Sequence, residues 1–198
     1  MQPVFRRGWR RPRVAARILL VGACLTLATS TVDAAGSFKG AMHEQFAMVA
    51  CPAGAPATLA CASVTGTGQL SHLGKVTEAV QATINLALFS PTTYCAPDQS
   101  KATFTAASGD NLFMTTNGLS CQTAPGKGVD TGRYEITGGT GKYKDASGSG
   151  VYETDATYAA DMRSGASITT YSGTFVNGPQ QHGPNDQQGA SPQQGQSN

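Results

Sequence analysis

Apolar and polar residues alternate along much of the chain, most regularly over Val76–Phe89. Glu78 is the one charged residue among the even-numbered positions of this stretch, and the odd-numbered positions are mostly polar. A strand with one buried face shows this alternation, whereas a helix would distribute the same apolar residues around its circumference. The pattern therefore predicts a half-buried strand from Val76 to Phe89.

Shorter stretches of the same kind predict the remaining strands, since they are rich in Thr, Val, Phe and Tyr and are separated by turn-forming residues. These strands are expected at Ser37–Ala50, Ala62–Leu73, Lys101–Ala107, Asn111–Asn117, Tyr134–Thr137, Val151–Met162 and Ala166–Val176. Loops are expected at Cys51–Pro56, Tyr94–Gln99 and Leu119–Gly132, because these carry proline and glycine. Gly66 and Gly68 within the second strand indicate a bulge or a bend.

The stretch Tyr134–Gly150 reads as a strand, a glycine-rich corner, a short crossover and the start of another strand. Glycine tolerates the backbone conformations that such a corner needs. Together with about eight strands and no amphipathic helix, this predicts an all-β fold. The expected architecture is a small, mostly antiparallel, closed barrel of about eight strands, and the alternative is a β-sandwich.

Both ends of the chain differ in composition from the rest. Residues 1–34 combine an arginine-rich start, a short apolar run and a small-residue cleavage site, as in a secretory signal peptide. A retained membrane anchor and a lipoprotein modified at Cys24 are the alternatives. Residues 178–198 are rich in Gly, Pro, Gln and Asn and predict a disordered tail. The domain is thus expected at residues 35–177, in a protein that is secreted or periplasmic and has no membrane association after cleavage.

Charge and cysteine content agree with export. Six of the 14 basic residues and one of the 12 acidic residues lie in residues 1–34, which leaves 8 basic and 11 acidic residues and a net charge of −3. Such a balance disfavours nucleic acid as a partner. Four cysteines remain, and of their three possible connectivities we favour Cys51–Cys61 with Cys95–Cys121, because each pair flanks one loop. No metal-binding spacing occurs.

The stretch Ile136–Tyr143 (Ile-Thr-Gly-Gly-Thr-Gly-Lys-Tyr), with Ala146–Gly148, resembles a motif shared by allene oxide cyclases and dirigent proteins of plants. Thr67–Lys75 and Thr103–Leu112 are similar to exported bacterial proteins of unassigned function that carry the same domain. The resemblance implies an eight-stranded antiparallel barrel with a central cavity. The plant proteins assemble as trimers, so an oligomer is compatible with it. The catalytic residues of the plant enzymes have no match here.

Candidate chemistry is sparse. No phosphate-binding loop or dinucleotide motif is complete, so neither a nucleotide nor another cofactor is expected. Ser71 and His72 cannot pair as nucleophile and base on one strand, and His72 is expected to be structural. The acid–base candidates are His43, Glu44 and Glu78. A carboxyl facing an apolar interior would have a raised pKa, although a solvated position at the barrel mouth is the preferred interpretation of Glu78.

Aromatic residues on the predicted strands offer walls for a small apolar ligand. The ligand-binding candidates are Phe46, Phe104, Phe113 and Tyr152, with core packing as the simpler interpretation. Two functions follow: a non-enzymatic module with a ligand-binding or structural role outside the cytoplasm, or a cofactor-free cyclase or isomerase. An open cavity containing Glu78 or His43 would favour the second.

Overall fold

The computed structural model describes residues 35–178. Eight antiparallel strands follow one another around a closed barrel, and the last strand pairs with the first. The strands are β1 Gly36–Val49, β2 Leu59–Leu70, β3 Gly74–Asn85, β4 Cys95–Ala106, β5 Asn111–Ala124, β6 Lys127–Gly139, β7 Gly148–Tyr158 and β8 Ser164–Phe175. The predicted barrel is confirmed, and the sandwich alternative is wrong. Both proposed terminal segments, the signal peptide and the tail, lie outside the described residues apart from Gly178.

The alternation over Val76–Phe89 sends one set of side chains into the barrel, as predicted. Val76, Glu78 and Val80 are buried, and the residues between them are exposed. The strand nevertheless ends at Asn85, and Leu86–Leu88 form one turn of 3-10 helix with exposed side chains. The side-chain oxygen of Asn85 accepts a hydrogen bond from the backbone N–H of Ala87 at 3.1 Å, which favours the helical turn over a continued strand.

Two of the predicted loops are largely strand. β4 begins at Cys95, inside the expected loop Tyr94–Gln99, and most of Leu119–Gly132 belongs to β5 and β6. Only a tight turn at Pro125 and Gly126 separates these two strands, with Gly126 at φ +70°. The other glycines of this stretch are strand residues, so reading them as loop formers was wrong.

Gly66 and Gly68 do not mark a bulge, because the pairing of β2 with both neighbours is continuous. The register shifts lie between β5 and β6 instead. A side chain at Gly68 would collide with the carbonyl oxygen of Ala41 and the sulfur of Met42. Glycine is required here by the close approach of β1.

The segment after β6 connects neighbours and does not cross over. A 3-10 turn at Gly141–Tyr143 leads directly into β7, which pairs with β6 and begins at Gly148 rather than Val151. Tyr143 folds inward from this turn and donates a hydrogen bond to the carbonyl oxygen of His72 at 3.2 Å. The glycine-rich stretch thus closes one end of the barrel.

The other end carries both disulfides. Cys51–Cys61 and Cys95–Cys121 are bonded, as predicted. The first joins the β1–β2 loop to β2, and the second joins the paired ends of β4 and β5. No helix among residues 35–178 is long and apolar enough to cross a membrane.

The interior is divided into two halves. In the half toward the Tyr143 turn, which we call the plugged half, Phe38 is completely buried and stacks with Phe175 at 6.0 Å between ring centroids. Tyr134 and Tyr171 complete this aromatic cluster around Phe38, at 5.7 and 6.4 Å. The half toward the disulfides, the open half, contains a cavity.

Candidate functional site

A cavity of about 130 Å³ occupies the open half of the barrel. Its walls include aliphatic side chains, such as Val64, Val80 and Ile84, together with aromatic, hydroxyl and carboxyl groups. Phe46 and Tyr158 lie near the ends of β1 and β7 that border the opening, and their rings meet edge to face at 5.0 Å. A molecule entering the barrel would therefore pass apolar side chains first.

Four carboxyl groups face this cavity: Glu44, Glu78, Asp98 and Asp130. Three of them are buried, at 6% exposure for Glu44, 4% for Glu78 and 6% for Asp98. None of the described residues that line the cavity is a lysine, arginine or histidine. The charge of this site is thus uncompensated by cationic side chains of the described part of the chain.

Glu44 and Glu78 lie on opposite sides of Gly66. In the strand register Glu44 pairs with Gly66, and Gly66 pairs with Glu78. The missing side chain at Gly66 leaves the room that the two carboxyl groups use, since an added Cβ would lie 2.9 Å from Cγ of Glu44. Gly66, in the Thr-Gly-Thr-Gly pattern of β2, therefore makes room for the two carboxyl groups as well as forming part of the sheet.

Hydroxyl groups hold this pair of glutamates. Oε2 of Glu44 accepts hydrogen bonds from Ser167 at 2.7 Å and Thr169 at 2.9 Å. Oε1 of Glu78 accepts one from the hydroxyl of Tyr171 at 3.2 Å. Oε2 of Glu78 is buried without a hydrogen-bond partner among the described residues.

Asp98 and Asp130 share the hydroxyl of Tyr152. This hydroxyl lies 2.9 Å from Oδ1 of Asp130 and 3.4 Å from Oδ2 of Asp98. Tyr152 reaches them across two glycines, because Asp98, Gly118, Gly132 and Tyr152 follow one another across four strands. A Cβ at Gly132 would meet the tyrosine ring at 2.8 Å, and one at Gly118 would collide with its hydroxyl.

Burial changes the acidity of these groups. Desolvation, followed by the charge of Glu44, raises the pKa of Glu78 to about 9. Desolvation and the neighbouring Asp130 raise the pKa of Asp98 to about 7, and desolvation also raises the pKa of Asp130. Glu78 therefore retains its proton at neutral pH, while Asp98 exchanges its proton in the same range.

The structure separates the candidate acid–base residues. Glu44 and Glu78 line the cavity, so the preferred placement of Glu78 at a solvated mouth is wrong. His43 lies on the outer face of β1, exposed and directed away from both glutamates, because it has the opposite parity. Grouping His43 with them was incorrect.

The ligand-binding candidates divide in the same way. Phe46 and Tyr152 line the cavity. Phe104 is completely buried and packs edge to face on Tyr171 at 5.7 Å, outside the cavity lining. Phe113 is 37% exposed and alternates outward between Leu112 and Met114. Phe104 and Phe113 were thus placed wrongly in the pocket.

Asp98 and Asp130 were missed as carboxyl members of the site. Asp98 has the parity of Ala102 and Phe104, which is the signal that identifies it as inward-facing. That signal was lost because residues 94–99 were read as a loop. Asp130 was lost in the same way, inside the supposed loop before β6.

His72 has a structural position, as expected, although it lies in the β2–β3 turn rather than on a strand. It has φ +67°, its ring stacks on Phe175 at 4.8 Å, and Nε2 lies 3.1 Å from the carbonyl oxygen of Ser37. Among residues 35–178, no group of three or more His, Cys, Asp or Glu side chains has the arrangement of a metal site.

Comparison with known proteins gives only a distant likeness to solved structures. No family model and no curated protein matches the chain. Among solved structures, the chain is similar to that of a pterocarpan synthase dirigent protein, with 14% identity and a TM-score of 0.41. The match covers 73% of this chain and 87% of the other. The closed eight-stranded barrel expected from the sequence is established by the strand topology itself.

Proposed function

We propose that this protein binds a small molecule in the open half of its barrel. The observation that carries the proposal is the cavity itself, which combines apolar side chains with four carboxyl groups. Small-molecule sites generally combine mostly apolar walls with a few polar groups that orient the ligand. A purely structural module would gain nothing from four inward carboxyl groups, since burying them costs stability.

The size of the cavity limits the ligand. A cavity of about 150 Å³ in another protein accommodates benzene. The 130 Å³ available here therefore suits a single small ring or a short branched chain, with any longer part of the ligand emerging at the mouth. The ligand was expected to be apolar throughout, and the carboxyl groups instead favour an apolar body with one polar group.

The second candidate is a cofactor-free enzyme that transfers protons, such as an isomerase or cyclase. Glu78 favours it, because a carboxyl that is still protonated near neutral pH can act as a general acid. Tyr171 orients one oxygen of Glu78 and leaves Oε2 without a partner among the described residues.

Native mass spectrometry of protein purified from its own host tests the first function. A co-purifying small molecule, displaced on denaturation, is the expected result. Glu78→Gln then distinguishes the candidates: a binding protein retains a neutral ligand, whereas an enzyme loses turnover of it. Recovery of ligand-free protein, together with no uptake from a host extract, would contradict both functions.

The location proposed is outside the cytoplasm. Two disulfides within one small domain fit an oxidising compartment. Cell fractionation and the N-terminal sequence of the native protein test this. A product retained in the cytoplasm with residues 1–34 still attached would contradict it.

A further inference from the structure

Asp98 and Asp130, which we call the aspartate pair, reach the cavity from β4 and β6 on either side of β5. In the strand register Asp98 pairs with Gly118, and Asp130 pairs with Ser120, the next position of β5 with the same parity. Both carboxyl groups lie within hydrogen-bond distance of one atom, the hydroxyl oxygen of Tyr152, at 3.4 and 2.9 Å. A single donor atom in the cavity can therefore contact both.

One acceptor of the aspartate pair is left over. Oδ1 of Asp98 is buried without a hydrogen-bond partner among residues 35–178, and Asp98 as a whole is 6% exposed. This oxygen lies over Gly118, 2.9 Å from the position that a Cβ would occupy there. The missing side chain thus leaves space beside the acceptor. Since buried polar atoms are paired in the great majority of cases, the unpaired oxygen indicates a donor that binds here.

The charges around the aspartate pair are of one sign. Glu44 and Glu78 face the same cavity from β1 and β3, and β7 and β8 contribute only tyrosine hydroxyls as titratable groups. The lining residues of β2 and β5 carry no titratable group, and no lysine, arginine or histidine lines the cavity among residues 35–178. A cationic ligand would supply the missing positive charge, whereas an anionic ligand would be repelled.

The aspartate pair binds a proton when no cation is present. Desolvation, followed by the charge of Asp130, raises the pKa of Asp98 to about 7, and desolvation also raises the pKa of Asp130. An ammonium group beside the two carboxyl groups would lower both pKa values, because an opposite charge favours the ionised form. Binding of a cation would therefore release the proton.

The glutamate pair does not offer the same site. The pKa of Glu78 is raised to about 9, so this carboxyl is protonated at neutral pH. Glu44 already accepts two hydroxyl hydrogen bonds. The register also separates the two pairs, since Glu78 pairs with Phe104 whereas Asp98 pairs with Ile84, further along β3. The charged group of a ligand is thus directed to the aspartates.

We propose that the aspartate pair binds the ammonium group of a small amine, placed over Gly118 between Asp98 and Asp130. This inference rests on the proposed binding function and specifies the chemical class of the ligand. The aspartate pair releases up to one proton for each ammonium group that it binds. Apolar side chains of the cavity, among them Val64 and Ile84, contact the rest of the amine.

Benzylammonium and benzyl alcohol, which have similar shapes and differ in charge, test this class. Titration calorimetry on the full chain measures both affinities at pH 6 and pH 8, where benzylammonium keeps its charge. The affinity for benzylammonium should rise roughly tenfold between these values, because Asp98 loses its proton in this range. At pH 8 it should exceed that for benzyl alcohol by at least roughly tenfold, the difference that one charge-assisted hydrogen bond supplies.

Variants locate the effect. Asp98→Asn should weaken benzylammonium binding at pH 8 by roughly tenfold or more, reduce its pH dependence and leave benzyl alcohol binding nearly unchanged. Asp155→Asn, the same replacement on the exposed outer face of β7, should alter neither affinity. Glu78→Gln should leave the pH dependence in place, because Glu78 keeps its proton over this range. Circular dichroism of each variant establishes that the barrel is intact.

The outcomes separate this inference from the function on which it rests. Benzyl alcohol binding as tightly as benzylammonium at pH 8 would overturn the cationic class and leave a small-molecule site in place. An unchanged benzylammonium affinity in Asp98→Asn, or equal affinities at pH 6 and pH 8, would overturn the role of the aspartate pair. Failure of both probes, with no co-purifying ligand, would overturn the binding function as well.

Discussion

The plugged and open halves of the barrel are formed by the same eight strands and differ in what fills them. In the plugged half, aromatic rings pack on one another, and Phe38 makes ring contacts with Tyr134, Tyr171 and Phe175. In the open half, carboxyl groups lie beside one another around an unfilled space. The packing of the plugged half stabilises the fold. The open half instead buries carboxyl groups, which destabilise the folded state, and binding sites commonly contain such groups.

The largest effect is expected from truncating an aromatic ring in each half. Phe38→Ala removes a fully buried ring and should lower the free energy of unfolding by ~3–5 kcal/mol. Phe46→Ala removes a half-buried ring beside an existing cavity and should cost only ~1–2 kcal/mol. Urea denaturation measures both. Equal losses would show that the halves do not differ in packing.

Removal of the disulfides should weaken the open half selectively. Replacing either pair of cysteines by alanine is expected to cost ~2–4 kcal/mol. The Cys95–Cys121 pair should cost slightly more, because it closes a loop of 26 residues against 10 for Cys51–Cys61. Hydrogen exchange should quicken at the open end before the plugged end. Uniform acceleration around the whole barrel would contradict this selectivity.

Gly118→Ala tests whether glycines build the site. The added methyl group would collide with the hydroxyl of Tyr152, so we expect a loss of ~1–3 kcal/mol in unfolding free energy. The displaced tyrosine should also weaken ligand binding. Gly128→Ala is the control, because its Cβ would meet its nearest atom, on the ring of Tyr158, only at 3.1 Å. Equal behaviour of the two variants would argue against a specific role of Gly118.

The smallest effect concerns pH. The pKa of Glu78 is raised to about 9 in the folded protein, so the folded state binds a proton that the unfolded chain has released above its ordinary pKa of about 4.3. Stability therefore falls with rising pH between those values, by at most ~1.4 kcal/mol per pH unit. Glu78→Gln should abolish this pH dependence. As the pH rises from 5.5 to 7, the unfolding free energy of the variant should therefore increase by ~1–2 kcal/mol relative to that of the parent protein.

Urea titrations at several pH values, with Glu135→Gln as the exposed control, measure this dependence. An identical slope of stability against pH in parent and Glu78→Gln would show that Glu78 is not protonated in the folded protein.

Most of the fold follows from the alternation of residues, because inward and outward positions differ strongly along β3 and β8. The prediction failed where glycine was read as a turn signal. Gly118 and Gly132 are strand residues that face the interior, and what they accommodate is a tyrosine from β7. The need for glycine at these two positions depends on how four strands are aligned with one another. A local sequence pattern carries no information about that alignment.

The site was predictable only in part, for the same reason. Glu78 stands out as a charged residue in an apolar series, and its neighbour across Gly66 is Glu44. The parity of Asp98 could have been read from β4 once the strand was extended to Cys95. The assignment of Phe113 to the pocket failed because aromatic character does not specify a face, whereas its position between Leu112 and Met114 does.

Pairing of β8 with β1 has a practical consequence. The first residue of β1, Gly36, pairs with Phe175 near the end of β8, so both strand termini leave the cylinder at its aromatic base. The disulfide-bearing rim is at the opposite end. A carrier attached directly beside Gly36 or Phe175 would therefore lie at the aromatic base, away from the aperture.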